Sequence, residues 1–565
     1  MPSTALQRPV AIVGGGPVGL VLALFLDRLG VETVVFNAVE MTRWHPRGST
    51  HNSRTMEHYR TLGLSKQIRQ LGLPLHHPRD VFYLTRLNGY ELARVPMGSE
   101  QQRQQAAENA EATEQIVEPL IRANQMYVDR FLLEQARLHP RITLRFGWQV
   151  SSVEQGADSV TLRAENSEGS TEHWTAPYVI GCDGGHSLVR RTLGISYSGK
   201  SAENPAFMAG SMISAHVRIQ GAYTSVLRGR EGWLYNVLNP KQRLLLFSLD
   251  GKDDFLMMTN SETGALMDNT QLREYILAAT GADLPVTIVG QQTWTGGIAL
   301  VADSFGGGRI FLAGDSAHLF SPTGGLGMNT GLEDAANLAW KLAASIQGWG
   351  GDSLLATYEM ERRPVAFRNT VVARGLTHRL GDVKVPNELE DSTNEGAAAR
   401  AKMGELLHNF SGQFSAPGME LGARYDGSPV IVSSSGDAPP PDHPVIYTPT
   451  SMPGGRLPHL WLDAPGPGRR SVFDELGAGF SLIRVGEDAP AGEAFEDASR
   501  KLRVPMKVVD LPQSPARDLY QTSLILVRPD RYIAWRGDAL PDDVSGLLSA
   551  AVGGGEKTRA TRTGT

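Results

Sequence analysis

The sequence predicts an α/β protein of about three units: a parallel-sheet domain covered by helices, an antiparallel sheet inserted into it, and a small C-terminal α/β domain. Three observations point there. The first forty residues run strand, turn, helix, strand. Residues 207 to 299 are β-rich, with no long helical pattern between the strands. Strand and helix texture then returns at "GRIFLAGD" and alternates again beyond Pro444. A chain of 565 residues is also too long for one core.

In order, "VAIV" reads as a short buried strand, "GGGPVG" as a tight turn, "LVLALFLDRLG" as a helix closed by Gly30, and "VETVVF" as the second strand. This βαβ unit implies a parallel sheet. The polar stretch Glu100 to Gln115, "EQQRQQAAENAEATEQ", is expected as an exposed helix or mobile insert. "HVRIQ", "GWLYNVLNP", "RLLLFSLD" and "DFLMMTN" are strands separated by turn residues. "SSSGDAPPPDHP" (Ser433 to Pro444) is a break, and the tail 553–565 is expected to be disordered.

The formal charge of -6 leaves no basic surplus for nucleic acid. The single cysteine, Cys182, excludes an internal disulfide framework and fits a reducing cytoplasm. The apolar run Val18 to Leu26 ends at Asp27, too short for a bilayer and without a basic leader, so neither membrane span nor targeting segment is expected. The fourteen histidines include no H-E-x-x-H, and His76 and His77 are adjacent, so no metal site is expected.

Gly14, Gly16 and Gly19, with Gly15 and Pro17 between them, form G-x-G-x-x-G between a strand and a helix. There, small residues let a pyrophosphate reach amide hydrogens and a positive helix end. The motif marks a dinucleotide without choosing between FAD and NAD. The acid that usually binds ribose hydroxyls is replaced by Asn37, with Glu40 three residues on as a substitute. A second strand, "YVIGCDGGHSLVRRTLGI", delivers Asp183 to a turn before a basic helix carrying Arg190 and Arg191; Asp183 reads either as a helix cap or as a cofactor contact. A third stretch, "IFLAGDSAHLFSPTGGLGMNTGLEDAANLAWKL", puts Asp315 at a strand end and five glycines from Gly314 to Gly331.

In this order the three stretches resemble the signatures of flavin-dependent aromatic hydroxylases of the p-hydroxybenzoate hydroxylase fold. The length fits best the long members with a thioredoxin-like C-terminal domain, the phenol and aromatic polyketide hydroxylases. The resemblance implies a discontinuous FAD-binding domain (1–75, 120–198, 300–400), a substrate domain (76–119, 199–299) and a thioredoxin-like domain (415–552). The last contains no cysteine, which excludes disulfide exchange and leaves homodimer contacts or a buttress as its role.

By the same resemblance, Asp315 holds ribityl hydroxyls, and Gly324, Gly325, Leu326, Gly327, Met328 and Asn329 form the loop against the flavin ring. Glycines are expected there because a planar group packs against main chain. Arg47 in "HPRGSTHNSRTMEHYRTLGL" lies near the phosphates and Gln125 in "ANQMYVDRFLLEQA" contacts the flavin; a surface arginine and a capping glutamine are the plainer readings.

The implied reaction uses NADPH or NADH to reduce FAD, which captures dioxygen as a C4a-hydroperoxyflavin and hydroxylates a phenolic or polycyclic aromatic. His51 is the candidate base, a structural hydrogen-bonding histidine being the competing reading. The Pro322 carbonyl is expected at the substrate edge, and Phe207, Met208, Trp233, Tyr235 and Trp294 are candidate pocket walls. Baeyer-Villiger insertion or epoxidation on the same fold is the near alternative, and a non-catalytic FAD-binding scaffold the distant one.

Overall fold

A computed structural model describes residues 6–42, 44–201, 207–433 and 438–554. Its organising sheet has six strands. In spatial order they are Gly306–Gly307, Ile310–Leu312, Tyr178–Gly181, Val10–Val13, Thr33–Asn37 and Ile142–Phe146. All are parallel except the short edge strand Gly306–Gly307. The central strand Val10–Val13 is buried along its length. An unbroken β-branched and apolar run such as "VAIV" suits a strand covered on both faces.

The helix Pro17–Arg28 follows the glycine turn and buries Leu20, Val21, Leu22, Leu24 and Leu26. Each such side chain contributes about 1.5–3 kcal/mol by leaving water, so this helix is fixed by packing rather than by its ends. Against it lies the 22-residue helix Leu326–Gln347.

A seven-stranded, mostly antiparallel sheet holds the inserted region, with Val81–Leu84 and Glu91–Val95 joined to the strands between Gly210 and Gly296. Its only parallel pair among the described residues is Leu234–Asn239 with Val81–Leu84. The helix Asn269–Thr280 covers one face, over Tyr235, Val237 and Phe255. The other face carries an aromatic and methionine cluster that includes Trp233, Phe207, Trp294 and Met208. Leu380, Val383, Met403 and Leu407 pack into that cluster, so the stretch from Leu380 to Phe414 sides with this sheet rather than with the parallel one.

The C-terminal unit runs β-α-β-α-β-β-α from Phe480 to Ala551, with its four strands in spatial order second, first, third, fourth. The first two are parallel and the others antiparallel. This is the small α/β domain expected after Pro444. Trp340 and Trp349 of the nucleotide domain share a core with Phe480 and Leu482, so the two units meet through a common apolar layer.

Two expectations change. The polar stretch from Glu100 begins as the expected helix, with most of its side chains exposed or half-buried, but it is anchored rather than mobile. Glu100–Glu108 is a helix with a Ser99–Gln102 capping box, and Glu100 is buried in an ion pair with Arg69. Beyond it, the Ala112 carbonyl accepts from the Trp461 amide at 2.8 Å, and the Glu114 carbonyl bonds the His459 ring at 2.6 Å. Its glutamines therefore cover a connection between domains. Of the expected tail, Gly553 is packed, its carbonyl accepting from Ser353 Oγ at 2.7 Å; residues 555–565 lie outside the described residues. No helix among the described residues is long and apolar enough to cross a membrane.

Candidate active site

The first glycine turn is compressed on its protein side and open on the other. A Cβ on Gly14, whose φ is +118°, would lie 2.1 Å from the Cys182 carbonyl oxygen, and one on Gly19 would lie 2.0 Å from that of Gly14. Around Gly16, by contrast, a Cβ would meet nothing within 4 Å. Gly16 is the N-cap of the first helix, Pro17 occupies its first turn, and neither a side-chain cap nor an acidic residue satisfies that end. The long helix begins the same way, at Gly325 (φ +65°), uncapped and without an acid in its first turn. Val18 touches the Cβ positions of both Gly314 and Gly331, so the start of the first helix packs against the second turn of the long one. Uncapped ends leave donor groups and positive potential unspent.

The five glycines of the third stretch are thus required in part by protein contacts. A Cβ on Gly331 would approach Gly314 Cα to 2.9 Å, and one on Gly325 would approach Thr50 Cβ to 2.8 Å. Helix, loop and strand interlock there, a constraint that adds to any imposed by a planar ligand.

Asp315 is solvent-accessible, yet burial of its surroundings raises its carboxyl, as on the wall of a deep cleft. Its backbone carbonyl accepts from Tyr197 Oη at 2.6 Å. Asp183 caps the helix Leu188–Thr192, Oδ2 accepting from the Val189 amide at 3.2 Å, while its buried Oδ1 has no partner. Both readings of Asp183 therefore have a free oxygen to account for. Arg190 and Arg191 donate to carbonyls of Ile195 and Ser187. Asn37 braces the glycine turn: Oδ1 accepts from the Gly15 amide at 3.3 Å and Nδ2 donates to Val39.

Arg47 is held by its backbone, which exchanges hydrogen bonds with the Asn124 amide group. Gln125 Nε2 donates to Asp129 Oδ2 at 3.2 Å, and burial pushes the Asp129 carboxyl up to about 7. Asn329 locks the loop, its amide reaching the Asn52 amide hydrogen, Thr50 O and Gly325 O. Leu326 is buried and Gly327 and Met328 are half-buried beside it. The exposed Pro322 closes the turn, its carbonyl accepting from the Gly325 amide at 3.0 Å.

Two expectations fail on geometry. His51 is fully buried, with Nε2 at 3.1 Å from the Ala123 carbonyl and Nδ1 at 3.3 Å from Tyr59 Oη. Burial lowers its pKa to about 4. Thr50 and His51 form a two-residue bridge with Ile121–Arg122, and strand alternation sends Thr50 toward Gly325 and His51 away from it. Tyr235 lies on the helix-covered face of the large sheet, stacked on Phe82 and donating to Arg230 O at 2.9 Å. Trp233, Phe207, Met208 and Trp294 do share the opposite face, and the indole nitrogens of Trp233 and Trp294 are buried without partners.

Two residues not singled out in the sequence organise the site. Arg122, fully buried, lies 4.1 Å over the Trp233 ring, donates to Thr50 Oγ1 and to the Phe414 carbonyl, and thereby joins the aromatic face to the glycine loop. Asp334 receives the Gly314 amide at 3.1 Å, His318 Nε2 at 2.6 Å and Arg362 Nε at 2.8 Å. Burial opposes its charge, but His318 and Arg362 hold the carboxyl below the usual range. Asp334 stands within "GLEDAANL" beside Glu333, which is also buried and also pairs with Arg362; its bonds to Gly314 and His318 set it apart.

A glycine turn feeding one bare helix end, packed against a helix with a second bare end, defines a dinucleotide-binding domain. Family comparison agrees: residues 7–373 match the FAD binding domain, and residues 450–553 match the aromatic-ring hydroxylase C-terminal region. The FAD-dependent monooxygenase apdD of Emericella nidulans is 33% identical, over 96% of this chain and 89% of that one. The 2,4-dichlorophenol 6-monooxygenase of Cupriavidus pinatubonensis is 28% identical, over 97% and 96%. RebC, solved with bound 7-carboxy-K252c, superposes with a TM-score of 0.86 at 33% identity, covering 98% of this chain and all of that one. Aklavinone-11 hydroxylase, solved with FAD and aklavinone, gives 0.78 at 26% identity over 97% and 99%. The chain belongs to the FAD-dependent aromatic-ring hydroxylases, and it is an enzyme with FAD as cofactor. The cleft fits that cofactor: two uncapped helix ends, open space at Gly16, the unpartnered Asp183 Oδ1 and the accessible Asp315 supply what a phosphorylated, hydroxyl-rich flavin needs.

Proposed function

We propose that this enzyme uses NADPH or NADH to insert one oxygen atom of dioxygen into a phenolic or polycyclic aromatic ring. FAD supplies the electron transfer and oxygen activation; the protein supplies binding, orientation and exclusion of water. The observation that carries the reading is the packing of two bare-ended helices at one glycine-lined cleft, next to a sheet face rich in aromatic side chains.

In this reading Gly14, Gly15, Gly16, Pro17 and Gly19 cradle the pyrophosphate, with Arg47 and Asp183 beside it. Asn37 lies on the ribose side, and Asp315 accepts from the ribityl chain. The loop Gly324 to Asn329 backs the flavin ring, and Gln125, oriented by Asp129, contacts it. The bare end at Leu326 stabilises negative charge on the ring as it is reduced. Phe207, Met208, Trp233 and Trp294 wall the substrate, and Pro322 marks the edge of that space.

Among the described residues no carboxylate is hydrogen-bonded to Arg122, whose positive charge is stacked on Trp233. That charge favours the ionised form of a phenol bound there, a task His51 cannot perform from its buried position. Relatives named for dichlorophenol and for aklavinone support both a simple phenol and a larger substrate as candidates.

The test is NADPH and NADH oxidation across simple and fused-ring phenols, with oxygen uptake followed and products assigned by NMR. A phenol that accelerates oxidation and leaves with one added hydroxyl is the expected result. A flavin-loaded protein whose oxidase rate no aromatic changes would overturn the reading. Asp315→Ala should give folded protein with depleted flavin, read from its visible spectrum.

A further inference from the structure

A cavity of about 230 Å³ lies where the end of the first helix, the end of helix Ser53–Thr61 and helix Leu326–Gln347 meet the C-terminal domain. The glycine turn is at the opposite end of that first, 12-residue helix, about 18 Å away at 1.5 Å per residue. The cavity is therefore separate from the flavin cleft.

Its lining is mostly polar and unbalanced in charge, with apolar rings contributed by Phe25, Trp340 and Phe473. Both lining carboxylates are matched: Asp474 pairs with Arg60 at 2.6 Å, and Asp530 with Arg528 at 2.6 Å. Two further arginines line it without an ion pair among the described residues. Arg28 is exposed at the rim. Arg531 is buried; it donates to the Glu57 carbonyl at 3.3 Å and stacks 4.6 Å over Phe473. His58, also in the lining, has a buried Nε2 without a partner. Burial brings Arg531 down to about 9; the nearby Glu57 and Asp474 carboxylates oppose this and the cations Arg54 and Arg60 add to it. Its backbone also sits at φ +67°, a conformation that costs a non-glycine residue.

We propose that this cavity is a second ligand site, taking a small carboxylate with an apolar body, of the size of a single-ring aromatic acid. The volume is below the 300–1,000 Å³ or so of pockets for drug-sized ligands and equals about seven or eight waters. The carboxylate meets the unmatched arginines and the ring lies among Phe25, Trp340 and Phe473. A ligand there would bridge the nucleotide domain and the C-terminal domain.

The FAD-loaded full chain is titrated with benzoate, benzyl alcohol and inorganic phosphate by calorimetry, in the wild type, Arg28→Glu and Arg531→Met. Saturable benzoate binding is expected, weakened about tenfold or more in each variant, a difference of about 1.4 kcal/mol. Benzyl alcohol should not compete. Arg28→Glu alters an exposed side chain, so it tests the site even if Arg531→Met unfolds; without benzoate it should oxidise NAD(P)H at the wild-type rate. Absence of saturable benzoate binding, or binding that Arg28→Glu leaves intact, would overturn the proposal. Phosphate binding as tightly as benzoate would overturn the assignment of an apolar body.

Discussion

The cofactor cleft and the seam between the nucleotide and C-terminal domains solve opposite problems with charge. In the seam, outside the cavity described above, the buried carboxylates of Glu361 and Glu57 are saturated by protein cations. Glu361 receives Lys341 Nζ at 2.6 Å and Arg528 at 2.6 and 2.8 Å, together with Ser428 and Asn337. Glu57 is held between Arg54 and Arg456 in the same way. In the cleft, two helices end without caps, and Asp183 keeps an unpartnered oxygen. Full satisfaction marks a structural network, and withheld partners mark a place for a ligand.

The largest effect should come from breaking the seam. Glu361→Ala leaves Lys341 and Arg528 buried without their carboxylate, and should cost about 3–5 kcal/mol in denaturant unfolding. If the loss is under about 1 kcal/mol, the seam is not the joint described here.

Acid should act at the same place. Against the penalty of burial, Arg456 and Arg54 hold Glu57 at about 2, and Arg528 and Lys341 hold Glu361 well below the usual range. A depressed carboxyl stabilises the fold above its unfolded pKa and loses that contribution as pH falls through the folded value. Stability should thus decline from about pH 4.5 toward 2, by about 3 kcal/mol from Glu57 alone. Melting curves across that range, compared with Glu57→Gln, check it.

Within the cleft, Asp334→Asn weakens the hold on Gly314, His318 and Arg362 and should cost about 1–3 kcal/mol, with weaker FAD retention. Arg122→Gln should lower kcat/KM for a phenol about tenfold and move the substrate's ionisation in the pH profile upward. The smallest effect is expected for His51→Gln. With its pKa near 4, His51 is neutral throughout neutral pH, and the kcat/KM profile from about pH 6 to 8 should not change.

How much of this was legible in the sequence follows from the range of each signal. The glycine turn, its strand and its helix are contiguous, so "VAIVGGGPVG" announces them, and Asp183 and Asp315 stand at the ends of apolar runs. Side-chain direction is less accessible. Trp233 precedes the first ladder pair of its strand, whereas Tyr235 lies within it, on the face opposite Leu234; counting by twos from the tryptophan puts both on one side. The partners of Arg122 and Glu361 come from segments up to 292 and 167 residues away, and no local pattern encodes such pairings. Polar composition likewise indicated the exposed helix from Glu100 but not its anchoring, because the contact of Glu114 is with a domain some 350 residues downstream.

The most direct measurement is FAD content and melting temperature of Gly16→Asp. Gly16 has φ -79° and ψ -176°, where an aspartate is an unstrained helix cap, and its Cβ would meet no protein atom within 4 Å. A cleft built to hold a pyrophosphate predicts an apoprotein that melts no lower than wild-type apoprotein, gains up to about 1 kcal/mol from the cap, and no longer retains FAD. A Gly16→Asp protein that purifies with full FAD would contradict the account.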